Sequence, residues 1–188
     1  PIKGFGREIN LPIKLERIYV EMRAIIMAKG SQCENKISEA DNEFEDKCGL
    51  KDAFEISRKK KIKDMLILGD PGCGKTTLLK HILLSLIFRK GQNVLGLTSN
   101  LLPLFIRLRK LKDPKTKNFV DFVYEQCSQE SLFMDRQDFE SMLCDNEVIV
   151  LLDGLDEMPN QKIREETSRW IDNARTKYPN KRFIITSR

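Results

Sequence analysis

The sequence is poor in the residues that build metal cages and disulfide frameworks. It has one histidine, His81, and its five cysteines (Cys33, Cys48, Cys73, Cys127 and Cys144) are odd in number, with none in C-x-x-C spacing. That excludes a zinc ribbon and a disulfide scaffold, and free thiols in a reducing cytoplasm are the expected state. Long apolar runs are missing too. The stretch Ile82–Phe88 is interrupted by Ser85, far short of the roughly 20 residues that span a bilayer, so no membrane partner is expected. The first ten residues, PIKGFGREIN, lack the apolar centre of a signal peptide. Neither charge sign dominates. A net charge of +5 permits nucleic-acid contact without requiring it. What remains is 188 residues, 40% apolar and 32% charged, enough for a medium-sized domain with a core of its own.

The most informative stretch is Met65–Thr77, MLILGDPGCGKTT. Met65–Leu68 reads as a short buried strand. Gly69, Asp70, Pro71, Gly72, Cys73, Gly74, Lys75 and Thr76 fit G-x-x-x-x-G-K-[ST], and the apolar segment from Thr77 onward reads as a helix to about Arg89, ended by Gly91. Strand, glycine loop and helix in that order make a phosphate-binding loop. Backbone N–H groups at a helix N-terminus bind anions, and glycines let the chain wrap closely round them. Lys75 would set its ammonium against the β- and γ-phosphates, and the Thr76 hydroxyl is a hard oxygen ligand for Mg²⁺.

About 80 residues further on stands Val148–Glu157, VIVLLDGLDE. Five consecutive apolar residues suit a strand buried on both faces of a parallel sheet. Asp153 at its C-terminal end lies where ligands bind in open α/β sheets, and its carboxylate can hold Mg²⁺, usually through water, opposite Thr76. Asp156 and Glu157 could orient or deprotonate an attacking water, and the residues alone leave open which of them does so.

The rest of the chain supplies the framework. Ile18, Val20 and Met22 alternate as in a strand, and residues 31–46 read as a polar surface excursion. Leu50–Lys60 reads as a helix ending in the basic run Arg58–Lys63, whose bland reading is a solvated helix end. Leu101–Leu108 is a further buried strand, begun by Pro103. Phe119–Gln129, Arg136–Leu143 and Gln161–Tyr178 have helical spacing, the last with Ile163, Trp170, Ile171, Ala174 and Tyr178 on one face. Arg182–Arg188 is a closing strand. Four apolar strands separated by helices predict an α/β fold with a parallel sheet and helices on both faces.

These motifs, in this order, resemble the NACHT family of signal-transduction NTPases over roughly residues 50–188. The resemblance rests on GDPGCGKT, on LPLFIRL (Leu102–Leu108), on LLDGLDE (Leu151–Glu157) with the small Gly154 after the aspartate, and on the terminal Thr186-Ser187-Arg188. It implies a P-loop NTPase three-layer sandwich with sheet order 1-4-3-2. The core is expected to be incomplete, ending at the fourth strand and lacking the fifth strand, the small helical domain and the winged helix. Residues 1–49 would precede that core as a separate segment. It further implies ATP or ADP with Mg²⁺ at Gly69–Thr77, metal contacts from Thr76 and Asp153, catalytic roles for Lys75, Asp156, Glu157 and Arg188, and an arginine at 188 facing the γ-phosphate. The expected partners are the nucleotide, the missing C-terminal domains and other copies of the chain; nucleic acid is not expected. Two further readings stand beside the ATPase switch, a non-hydrolysing nucleotide-gated scaffold and a nucleic-acid-dependent ATPase drawing on Arg58–Lys63.

Overall fold

The computed structural model describes the backbone of residues 2–4 and 7–9 and, with side chains, residues 49–97, 99, 101–128 and 134–188. The strand anticipated around Ile18–Met22 and the excursion over 31–46 lie outside the described residues. At the start, β1 (Ile2–Gly4) and β2 (Arg7–Ile9) pair as an antiparallel hairpin with Ile2 opposite Ile9.

The centre of the molecule is a four-stranded parallel sheet: β3 (Met65–Leu68), β4 (Leu102–Arg107), β5 (Val148–Asp153) and β6 (Arg182–Ser187). Its spatial order is β3-β6-β5-β4, the 1-4-3-2 order anticipated for the core strands. Every residue of β5 is buried, as an interior strand between two helical layers requires. Successive side chains alternate between faces. Ile149 and Leu151 join Ile184 under α1 (Leu50–Lys59), α2 (Lys75–Ile87) and α3 (Gly91–Leu95), packing with Phe54, Leu79, Ile82 and Leu95. Val148, Val150 and Leu152 face the other way, against α4 (Phe119–Ser128), α5 (Arg136–Asp145) and α6 (Gln161–Lys177).

The helix ends follow local chemistry. Asn160 caps α6 by accepting a hydrogen bond from the Ile163 N–H at 2.9 Å, and Asp135 caps α5 through the Asp138 N–H at 2.8 Å. On α6, Trp170 is a core anchor and not a stacking platform for bases. It is 6% exposed, donates its indole N–H to the Lys117 carbonyl at 2.7 Å, and lies 5.3 Å from the Phe119 ring centroid.

Three expectations are corrected. Strand β3 is not buried on both faces, because Leu66 and Leu68 are 56% and 58% exposed. Among the described strands it lies at an edge of the sheet, and the face carrying these two leucines is open. Helix α2 is not ended by Gly91. It stops at Ile87, where the Lys90 N–H bonds the Ser85 carbonyl and the Arg89 N–H bonds that of Leu86, with Arg89 at φ 55°. That is a Schellman closure two residues early, and Gly91 opens α3 instead. Pro103 does not begin its strand. It is the second residue of β4, tolerated because β4 is the other edge.

Candidate functional site

The C-terminal ends of the strands converge on one rim of the sheet. In register, Leu68 lies beside Ser187, Ile67 beside Thr186, and Arg107 beside Asp153. The chain leaves β3 through Gly69–Gly74 and enters α2 at Lys75. Gly74 caps that helix at φ 96°, a left-handed conformation that a side chain would strain. Loop and β6 are joined at the start, where the Gly69 N–H donates to the Ser187 carbonyl at 3.3 Å. The Cys73 sulfur sits where a Cβ on Gly69 would be, 2.6 Å from that position. The thiol is itself exposed at the loop surface and leaves no room for a side chain at position 69.

Lys75 folds back over this loop. Its Nζ donates to the carbonyls of Gly69 at 2.6 Å and Asp70 at 3.0 Å. The ammonium therefore rests on two neutral loop carbonyls, partners that phosphate oxygens could replace. One residue on, the Thr76 hydroxyl lies 3.0 Å from both carboxylate oxygens of Asp153, 77 residues away in sequence. The meeting of Thr76 with Asp153 anticipated from their motifs is present.

Asp153 is 8% exposed, and its position is fixed from a third strand. The Thr186 hydroxyl donates to Asp153 Oδ1 at 3.1 Å and accepts the Gly154 N–H at 2.9 Å. The sequence names Thr186 only within the terminal motif Thr186-Ser187-Arg188 and gives it no partner. Its role depends on β6 pairing between β3 and β5, a neighbour relation that spacing in one strand does not reveal.

The acids after Asp153 separate in space. Gly154 turns the chain at φ 82° into a 3₁₀ turn, Leu155–Glu157. Asp156 pairs with Arg188, Nε to Oδ2 at 2.9 Å, and its side chain is 8% exposed. Its other oxygen, Oδ1, is buried without a hydrogen-bond partner. Glu157 is exposed, with its carboxyl carbon lying against Gly154. Asp70, Pro71, Gly72 and Thr77 are also exposed at the loop surface, where a ligand could meet them.

A hydroxyl and a carboxylate 3.0 Å apart form a hard-oxygen donor set suited to Mg²⁺. This ion takes one or two protein ligands and completes its shell with phosphate and water. Among the described residues no group of three or more His, Cys, Asp or Glu forms an all-protein cage.

A glycine loop between strand and helix, facing an acid at the end of a neighbouring parallel strand, defines a P-loop nucleotide-binding domain. More specifically, the family model of the NACHT domain matches residues 63–188, and the chain belongs to that family, a nucleotide-binding NTPase of the STAND type. No curated protein matches the chain. Among the described residues no helix is long and apolar enough to cross a membrane.

Proposed function

We propose that this chain binds ATP with Mg²⁺ at Gly69–Thr77 and hydrolyses it slowly, as a molecular switch in cytoplasmic signal transduction or defence. The observation that carries the reading is the contact of Thr76 with Asp153 beside the Lys75 ammonium. Bound between Thr76 and Asp153, Mg²⁺ would neutralise charge on the phosphate oxygens. The loop N–H groups and Lys75 would hold the phosphates in line for attack by water.

The roles of the remaining groups follow from their freedom. One oxygen of Asp156 is taken by Arg188 and the other is enclosed. Glu157 is exposed, and its carboxylate has no hydrogen bond or ion pair among the described residues. Glu157 is therefore assigned the water, and Asp156 acts as a positioning residue for Arg188, the group that meets the γ-phosphate. The core is taken to begin at Leu50, ahead of the family match, because Phe54 of α1 is 2% exposed within the core beside α2. Residues 1–49 are then a preceding segment.

Equilibrium binding and phosphate release, measured side by side, test this. Glu157→Gln should retain ATP·Mg²⁺ and release no phosphate. Asp156→Asn should lose most of the preference for triphosphate over diphosphate. Equal phosphate release by Glu157→Gln and the parent chain would overturn the assignment. No release by any of them, with binding intact, would favour the non-hydrolysing scaffold.

A further inference from the structure

The basic run Arg58–Lys63 takes no part in the site above, yet the fold gives part of it a destination. At the N-terminal end of the sheet, opposite the phosphate loop, lies a cleft of about 480 Å³. Arg58 and Lys63 line it together with Lys181, just before β6, and Arg182, its first residue, more than a hundred residues later. Asp145 and Glu147 stand in the same wall. Four cations against two carboxylates leave the cleft positive.

None of these four cations forms an ion pair among the described residues, although ion pairs are frequent elsewhere on the surface. Their fixed partners are neutral. The Lys181 ammonium donates to the carbonyls of Cys144 at 3.0 Å and Asn146 at 2.6 Å, and Lys63 donates to that of Pro179 at 3.1 Å. The half-buried guanidinium of Arg182 lies 5.5 Å from the Phe54 ring centroid and gives Nη1 to the Ser57 hydroxyl at 3.0 Å. The nearby Asp64 carboxylate is occupied by Arg175 at 2.7 Å and by the Phe183 N–H at 2.9 Å. Burial lowers the Arg182 pKa, only partly offset by Asp64. A guanidinium held between a ring and a hydroxyl, with its remaining N–H groups open, is preorganised for an oxyanion.

We infer that this cleft is a second anion site, one that takes a phosphate group through Arg182, with Arg58 and Lys63 at its mouth. The inference stands apart from the nucleotide reading. A free phosphate and a nucleic-acid phosphodiester share the chemistry, and the experiment separates them.

The chain is saturated with ADP·Mg²⁺ to occupy the loop, and inorganic phosphate is titrated while the backbone amide and Arg182 Nε–H resonances are followed by NMR. The titration is repeated in Lys75→Ala. Saturable shifts at Ser57, Lys181 and Arg182 are expected in both. Affinity should fall about tenfold or more in Arg182→Gln, the loss that follows from removing a charge-assisted contact. It should fall by a smaller factor in Lys63→Gln, whose exposed side chain can be altered without disturbing the core. ADP binding should be unchanged in both variants. A single-stranded oligonucleotide giving the same shifts at far lower concentration would assign the phosphate to nucleic acid; shifts with phosphate alone would assign it to a small anion. No saturable shifts in the folded parent chain, or equal affinity in Lys63→Gln and Arg182→Gln as in the parent, would overturn the inference.

Discussion

Thr186 shows how one hydroxyl can hold a site together. It serves Asp153 and the Gly154 N–H at once and is fully buried. Removing it leaves a buried donor without a partner, which costs about 1–3 kcal/mol. Thr186→Val, close to isosteric, should therefore lower stability by about that amount in urea unfolding and weaken Mg²⁺-dependent nucleotide binding. Thr186→Ser should recover much of both. Equal stability of the valine variant and the parent would show that the bond adds nothing. Lys75, Thr76 and Asp153 stand out in the sequence because each belongs to a local motif. The role of Thr186 and the different surroundings of Asp156 and Glu157 do not stand out there. Those depend on which strands are neighbours and on which way a turn aims adjacent side chains.

At the scale of elements, the apolar runs announced four strands but not which faces are covered. Met65–Leu68 and Val148–Leu152 look alike as strings, yet β3 has one open face and β5 has none. Stability should read this difference. Leu66→Thr should change the unfolding free energy by no more than about 0.5 kcal/mol, as at exposed sites generally. Ile184→Ala, at a fully buried position on β6, should cost about 2–5 kcal/mol. Comparable losses would mean that Leu66 is covered in solution. Between α5 and α6, Glu140 accepts from Lys177 at 3.3 Å and from Arg136 at 3.0 Å. These hydrogen bonds, Lys177 foremost, hold its carboxyl below the ordinary value of 4.5. Because the folded pKa is the lower one, the stabilisation is full above the ordinary value and is lost as pH falls through the depressed one. Glu140→Gln should therefore flatten the acid limb of a stability-against-pH curve and leave its shape near neutrality unchanged. An acid limb as steep as the parent's would contradict this. The exposure of the pair keeps the effect small.

For the whole molecule, the parallel sheet brings distant stretches of chain to its two ends. One rim collects the loop after β3, Asp153 and Thr186; the other collects Arg58, Lys63, Lys181 and Arg182. Strand order at this scale was legible because the phosphate loop and the later acid strand carry a family's signature. The cleft was not, since its cations look like ordinary surface charge until the fold sets them side by side. The central claim, that the rim beside Lys75 is a Mg²⁺-dependent nucleotide site, is tested most directly by calorimetric titration of ATP, with and without Mg²⁺, into the parent chain and Lys75→Ala. The parent should bind saturably and only with Mg²⁺, and the variant should bind about 10- to 100-fold more weakly, the worth of a charge-assisted contact of about 1.5–3 kcal/mol. Equal affinity in the two folded chains would contradict it.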